Sequence, residues 1–319
     1  MGEGGSRVLL AVLSARRTEL RLARPDGGTG LKYVSGYISE SLKTPAEREA
    51  AMEAFLEREC CRPDSAAIVR PPPAGPADGD RATRFALRAI TATDELLELT
   101  PAEAVARSVA GGCLGSGPAG QRRVVIYTDG ELDCAVTPPG GGPPCSAPIA
   151  SADPVYSAPQ HLDFLCYAAE ITGRPSVGRL LTEEGLGLIY GYLRDAVGHH
   201  EPAWMAREVR SRGLADAVGA AVRSAERTCR LATAAARLLA SMLRSEAVNS
   251  AVRAAAAGGC VLSGHLVRTA AAAAPPEWPT VDIGGEGSPE ELHDYLPVLA
   301  PKSCTRMDGL SRAVEERVS

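Results

Sequence analysis

The chain has 319 residues and 45% hydrophobic residues, which allows two domains of ordinary size with their own cores and excludes an intrinsically disordered protein. Its formal net charge is −5, and the 34 basic and 39 acidic residues are interspersed without a basic patch, which argues against nucleic acid as a partner. Nine cysteines without metal-type spacing, a secretory signal or an apolar stretch of membrane-spanning length predict a cytoplasmic protein with reduced thiols, no metal site and no membrane partner.

The first third of the chain is predicted to be rich in strands. Strands are expected over 7–14, 18–23, 31–39 and 66–69. Thr44, Pro45 and Glu47 form a pattern typical of a helix start, and this helix is expected to reach about Cys60. One or two further helices are expected over 93–110.

The remainder of the chain is predicted to be mainly helical. A buried strand over 124–127 precedes a loop over 138–159 that is rich in glycine and proline. Helices are expected over 163–172, 176–181, 183–197, 202–212 and 215–253, and strands return over 260–263 and 297–300. The order of elements predicts an α/β protein with a smaller N-terminal lobe (1–110) and a larger C-terminal lobe (111–319), whose last helix, about 305–319, packs back on the N-terminal lobe.

Five short segments of the chain have the character of sequence motifs. They are AGPADGD (74–80), HLDF (161–164), LTEEGLGLIY (181–190), GGCVLSGHLV (258–267) and LHDYLPV (292–298). Together they resemble the bacterial-type glucokinase family of the sugar kinase, hexokinase and actin superfamily. The resemblance implies an α/β, two-lobed sugar-kinase/actin-like (ribonuclease H-like) fold with a cleft between the lobes. It also implies phosphorylation of glucose to glucose 6-phosphate with ATP and Mg²⁺.

The segments that align with the family's phosphate loops lack the residues that such loops need. The first loop, D-x-G-G-T in the family, falls on 12–16 (VLSAR), where Val12 cannot orient Mg²⁺ or its waters. The second falls on 128–133 (TDGELD), where Gly130 is the candidate nucleotide-binding residue among three acidic side chains. These carboxylates would repel ATP unless a metal neutralised them, and a solvated acidic turn is the commoner explanation.

The family's catalytic base is an aspartate that follows a strand and accepts the proton of the sugar hydroxyl. The aligned pair is 91–92 (TA), and a shift of two residues brings Asp94 into this place. Asp94 is therefore the candidate catalytic residue. It equally suits the first turn of a helix over 95–99, where a carboxylate is favourable.

The sugar site implied by the resemblance is also incomplete. Its two glutamates fall on Ala158 and Gly178, whereas its histidine is present as His161. Glu183 and Glu184 lie about one helical turn beyond Gly178. The candidate substrate-binding residues are therefore His161, Glu183 and Glu184, although a lone histidine of this kind is more often structural.

The nucleotide site implied by the resemblance includes a glycine-rich motif near the last strands. Gly258, Gly259 and Gly264 keep the motif's glycines and are candidate nucleotide-binding residues, whereas His265 replaces one. Such glycines equally serve close packing of a helix on a strand.

Three hypotheses remain open at this point. The chain is a catalytically degenerate glucokinase-like protein with a binding or regulatory role, whose partner is glucose or a related hexose. Alternatively, it is an active but divergent hexose kinase with Asp94 as base, ATP and Mg²⁺. The third hypothesis is a structural protein with only a chance likeness, or a chain produced by gene decay and without settled function. The small residues within 215–253 suit either packing within the lobe or a homodimer interface.

Overall fold

The computed structural model describes residues 7–13, 18–25, 31–39, 44–59, 63, 65–69, 96–108, 121–129, 131–140, 142–154, 158–273, 298–299 and 312–314. The chain divides into two compact units. Unit 1 is formed by Met1–Cys113 together with Ser303–Ser319, and unit 2 by Leu114–Lys302. Each unit contains its own sheet and its own hydrophobic core.

The sheet of unit 1 has the order β3-β2-β1-β4-β5. Its described strands are β1 (Val8–Leu13), β2 (Thr18–Pro25), β3 (Leu31–Ser39), β4 (Ser65–Val69) and β5 (Leu96–Leu99). The first three strands form an antiparallel meander, and β4 and β5 extend it in parallel beyond β1. All six residues of β1 are buried, as expected for a central strand with both faces covered.

Two helices of unit 1 are described in full, and their starts follow from capping. Helix α1 (Pro45–Arg58) begins after Thr44, which forms a capping box with Glu47. Its buried residues Met52 and Phe55 pack in one core cluster. Helix α2 is Pro101–Ser108. It contributes to a second cluster of unit 1, which also includes Ala313 and Val314 from near the C-terminus.

The helix predicted over 93–110 is wrong in its first part, where Leu96–Leu99 forms strand β5. This short apolar run pairs in parallel with β4, and periodicity alone does not separate such a run from a buried helix. The helix begins at Pro101, because Thr100 and Glu103 cap each other's backbone N–H groups at 3.3 and 2.9 Å.

The sheet of unit 2 has the order β8-β7-β6-β9-β10. Its described strands are β6 (Arg123–Thr128), β7 (Leu132–Thr137), β8 (Cys145–Ser146), β9 (Cys260–Ser263) and β10 (Val298–Leu299). Strands β6 to β8 are antiparallel, whereas β9 lies parallel to both β6 and β10. The arrangement is that of unit 1, strand for strand.

Helices make up most of unit 2. The described helices are α3 (Pro159–Thr172), α4 (Val177–Leu180), α5 (Glu183–Gly191) with a π-helical turn (Tyr192–Ala196), α6 (Ala203–Arg212), α7 (Leu214–Arg223), α8 (Arg230–Arg253) and α9 (His265–Ala273). The single helical region predicted over 215–253 is two helices. The backbone is extended at Ser224, where the first helix ends. Cys229 caps the next helix, because its Sγ accepts from the N–H of Ala232 at 3.5 Å.

Helix α8 lies in the core of unit 2. It packs against α5, α7 and α9, and its alanines at 232, 235, 236, 240, 247 and 251 are buried in that core. Small side chains allow close approach of the neighbouring helices, which compensates for their small buried area. In the described part of the chain, no helix combines the length and the apolar character that crossing a membrane requires.

Candidate functional site

The carboxyl ends of β6 and β9 lie side by side at one edge of the sheet of unit 2. Tyr127 pairs with Ser263 in the parallel register, and Gly264 follows directly against the backbone of Thr128. Ligands of α/β sheets bind outside the carboxyl ends of such strands. This edge is therefore a candidate ligand site.

The turn between β6 and β7 at this edge is acidic and partly buried. Asp129 and Asp133 are only 8% and 6% exposed. The hydroxyl of Tyr127 donates to Oδ2 of Asp129 at 3.1 Å, and the N–H of Cys134 donates to Oδ1 of Asp133 at 2.9 Å. The N–H of Asp129 donates to the carbonyl of Glu131 at 3.1 Å. The turn is thus closed by its own hydrogen bonds.

The carboxyl groups of this acidic turn influence one another. Burial, with a further contribution from Asp133, raises the pKa of Glu131. The carboxylates of Asp129 and Asp133 oppose a further anion at the same place. Gly130, the predicted nucleotide contact, lies outside the described residues.

Gly264 brings the ends of the two parallel strands into contact. Its φ of +116° is in the region that favours glycine, and a Cβ atom there would overlap the carbonyl of Thr128. Gly264 is thus required for the packing of β9 on β6, whatever ligand the edge takes.

The pair Gly258–Gly259 packs against the start of β6. A Cβ atom on Gly258 would lie 2.7 Å from Cγ of Arg123, and its N–H donates to the carbonyl of Arg122 at 2.9 Å. The carbonyl of Gly259 accepts from the N–H of Val124 at 3.0 Å. Both glycines therefore serve the approach of the chain to β6, at the strand end opposite to the acidic turn.

His265 begins α9 at the same edge as the acidic turn. Its Nε2 lies 3.0 Å from Oδ1 of Asp216 on α7, and its side chain is 17% exposed. This pair joins α7 to α9 next to Gly264. The position that holds a glycine in the resembling family thus carries a side chain that lies next to a carboxylate.

His161 is held inside unit 2. It lies in the first turn of α3, is 2% exposed, and its Nε2 is 2.9 Å from Oγ of Ser241 on α8. Burial lowers the pKa of His161, so the neutral imidazole is favoured. A neutral ring with one donor and one acceptor nitrogen suits hydrogen bonds to hydroxyl groups.

Glu183 and Glu184 begin α5, where acidic side chains favour a helix start. Oε1 of Glu184 accepts from Nε of Arg179 at 2.6 Å, and the two side chains are 53% and 39% exposed. The structure thus ties His161 to α8 and Glu184 to Arg179 of α4, so these predicted sugar ligands have separate partners.

Gly178 stands where the resemblance places a sugar-binding glutamate. Its N–H donates to the carbonyl of Ala150 at 2.8 Å, and a Cβ atom would lie 2.7 Å from that carbonyl oxygen and 2.8 Å from Cβ of Ala150. A larger side chain therefore does not fit without movement of this loop.

Asp94 lies outside the described residues. In the sequence it precedes β5 by two residues, whereas the base of the resembling family follows a strand. The residues that do follow β5 are Thr100 and Pro101, and the nearby carboxylate of Glu103 is used in the capping box of α2.

A cleft that the sequence did not reveal lies in unit 2 beside His161. It has a volume of about 430 Å³ and is lined in part by Gln160, His199, Arg230, Arg237 and Ser241. The two arginines are seven residues apart on α8, a spacing that places them on one helix face. The spacing of the two arginines is visible in the sequence, but the cleft itself depends on the contact of α3 with α8 through His161 and Ser241. Among the described residues, no group of three or more His, Cys, Asp or Glu side chains is arranged to hold a metal ion.

Three solved structures place this architecture among known proteins. The chain is similar to the glucokinase of Balamuthia mandrillaris in complex with glucose, with 14% identity, a TM-score of 0.71 and coverage of 98% of this chain and 94% of that chain. It is also similar to the ROK family glucokinase of Streptomyces griseus in complex with glucose and AMPPNP, with 15% identity, a TM-score of 0.59 and coverage of 99% and 100%. A ROK family transcriptional regulator, a homologue of the E. coli MLC protein, has 14% identity, a TM-score of 0.60 and coverage of 98% and 79%.

At these identities the likeness shows the fold, which is that of the two-lobed sugar kinases. The α/β fold class and the glucokinase-type resemblance predicted from the sequence are confirmed at this level. No protein-family profile matches the chain. No curated protein sequence matches it either.

Proposed function

We propose that this chain binds a hexose without phosphorylating it and so has a binding or regulatory role on a sugar-kinase fold. Solved proteins of this fold include glucokinases in complex with glucose and a transcriptional regulator. The fold therefore supports both a hexose ligand and a role other than catalysis, and the residues of this chain favour the latter.

The observation that carries the proposal is the acidic turn between β6 and β7. Phosphoryl transfer requires donors and cations around the transferred group. Here the carboxyl groups of Asp129 and Asp133 are buried at the strand ends. A phosphate at this place would meet these two carboxylates.

The residues around this edge do not fit ATP. His265 fills the place of a glycine, and its Nε2 lies 3.0 Å from Oδ1 of Asp216. Gly264 contacts the backbone of Thr128 directly, which leaves no gap between the ends of the two strands.

The described residues after β5 offer no aspartate for proton abstraction. Thr100 is an N-cap, and Glu103 completes the capping box. A carboxylate engaged at a helix start is poorly placed as a general base.

Support for hexose binding comes from His161. Its neutral ring is buried beside Ser241, in the motif that carries the resemblance to glucokinases. Hydrogen bonds from such a buried ring to sugar hydroxyls discriminate strongly, because buried polar groups lose free energy when they are left unpaired.

The proposal is tested by isothermal titration calorimetry of the full chain with glucose and, separately, with Mg²⁺ and the ATP analogue AMPPNP. We expect saturable glucose binding and no heat of AMPPNP binding. His161→Gln should weaken glucose binding by about tenfold, which corresponds to the loss of one good hydrogen bond. The exposed His200→Gln is the matched control and should bind as the wild type does. Tight AMPPNP binding, or equal glucose affinity in all three proteins, would contradict the proposal.

A further inference from the structure

The cleft beside α8 has a lining that favours an anion. Among its ten lining residues are Arg230, Arg237 and His199, together with Thr228, Thr233 and Ser241, and there is no carboxylate among them. The acidic turn of the same unit has the opposite character. The two regions therefore differ in the sign of their charged side chains.

The two arginines are arranged to meet one ligand. They lie two helical turns apart on α8, about 10.5 Å along its axis, within the combined reach of two long side chains. Nε of Arg237 donates to the carbonyl of Ala273 at 3.3 Å, and the same residue lines the cleft. Arg230 makes no described ion pair and is exposed, so its charge is available to the cleft.

The position on the helix adds to this charge. Arg230 is the first residue of the 24-residue helix α8, whose first backbone N–H groups lack helical acceptors and carry partial positive charge. Cys229, the buried N-cap, uses its sulfur for the N–H of Ala232. Guanidinium groups, hydroxyl groups and helix N–H groups are the donors that proteins use for phosphate.

We infer that this cleft binds the phosphate group of a small phosphorylated organic molecule. Its volume of about 430 Å³ exceeds what inorganic phosphate requires and is within the range of small-molecule sites. Arginine is preferred over lysine for such recognition because its planar fork pairs with two phosphate oxygens. The inference does not depend on hexose binding at His161 or on the loss of catalysis.

The cleft is linked to His161 through a shared residue. Ser241 lines the cleft and contacts Nε2 of His161 at 2.9 Å. A ligand that reorients the hydroxyl of Ser241 changes the hydrogen bond of the buried imidazole. A ligand in the cleft therefore acts, through Ser241, on the residue on which hexose binding is proposed to depend.

The test is calorimetry with glycerol 3-phosphate, a phosphomonoester that lacks a hexose, and with glycerol as the uncharged control. We expect saturable binding of glycerol 3-phosphate that weakens as salt is added, tighter binding than inorganic phosphate, and none of glycerol. Arg230→Gln/Arg237→Gln should weaken it at least about tenfold, as loss of charge-assisted hydrogen bonds requires. Arg230→Gln alone should weaken the binding of glycerol 3-phosphate less, and it replaces the double variant as the test if that variant does not fold.

The matched control is Arg207→Gln/Arg210→Gln, which removes the same charge from exposed positions of α6 outside the cleft. It should bind glycerol 3-phosphate as the wild type does. Equal weakening in both double variants would show a general charge effect and overturn the inference. Absence of saturable binding to the folded wild type, or binding no tighter than that of inorganic phosphate, would overturn it as well.

Discussion

The two units share a sheet topology but differ in the helices that connect their strands and in the residues at the strand ends. In each, an antiparallel meander of three strands is extended on one side by two parallel strands, as β3-β2-β1-β4-β5 in unit 1 and β8-β7-β6-β9-β10 in unit 2. Between the third and fourth strands, unit 1 has α1, whereas unit 2 has the helices from α3 to α8. The central strands β1 and β6 are almost wholly buried in both.

This comparison shows that the strand order of the sheet and the residues at its strand ends vary independently. The apolar strands specify the topology, because a shift of register would expose their buried faces. Residues at the strand ends do not determine the register. In unit 2 they include the acidic turn and His265, which lies next to Asp216 of α7. A fold typical of sugar kinases therefore does not by itself establish phosphoryl transfer.

The largest effect is expected where the two parallel strands of unit 2 touch. Gly264→Ala would place a methyl group on the carbonyl of Thr128 at a φ of +116°, so we expect a loss of about 3 kcal/mol or more in the free energy of unfolding. In Gly187→Ala on α5, the nearest atom to the new Cβ is 4.0 Å away, and this control should gain up to about 1 kcal/mol. Urea unfolding monitored by circular dichroism measures both. Equal stability of the two variants would show that β6 and β9 do not meet as described.

A smaller effect is expected from Glu246, a carboxyl buried in the interior of unit 2. It accepts from Oγ of Ser250 at 2.9 Å and from Arg253 at 3.0 Å, yet burial raises its pKa above the ordinary 4.5. Above pH 4.5 the folded protein therefore holds a proton that the unfolded chain releases. The contribution of this group to stability falls as the pH rises through the raised pKa, by up to about 1.4 kcal/mol per pH unit.

Glu246→Gln removes this titration, and unfolding measured from pH 4 to pH 8 tests it. Relative to the wild type, the variant should become progressively more stable as the pH rises above 4.5. The exposed Glu170→Gln on α3 is the matched control and should follow the wild type. A difference between Glu246→Gln and wild type that is constant with pH would refute the expectation.

The smallest effect concerns thiol reactivity. Of the five cysteines in the described part of the chain, Cys134, Cys229 and Cys260 are buried, and Cys145 and Cys166 are exposed. Burial raises the pKa of Cys134 to about 12, which suppresses the reactive thiolate. Brief iodoacetamide treatment of native protein, followed by peptide mass spectrometry, should label the exposed pair and spare the buried three. Rapid labelling of Cys134 or Cys260 would show that the sheet of unit 2 is open.

The sequence predicted those elements whose signals are local. The capping box of Thr44 and Glu47 marks α1, and the apolar run 8–13 marks β1. The prediction of helix over β5 is wrong and β7 is not predicted, because both strands depend on pairing with neighbouring strands. The break between α7 and α8 was missed since no proline marks it.

The site was less predictable than the fold. The composition of the acidic turn is visible in the sequence, but the burial of Asp129 and Asp133 is not. The contact between His161 and Ser241 joins residues 80 positions apart. Contacts of this range, like the cleft beside α8, follow from helix packing and have no local signature.

The measurement that tests the central claim most directly is a coupled phosphorylation assay with glucose, Mg²⁺ and ATP on the folded full chain. The account predicts no formation of glucose 6-phosphate above that of an Asp94→Ala variant. Turnover by the wild type that disappears in Asp94→Ala would contradict it and establish Asp94 as the base of an active, divergent kinase.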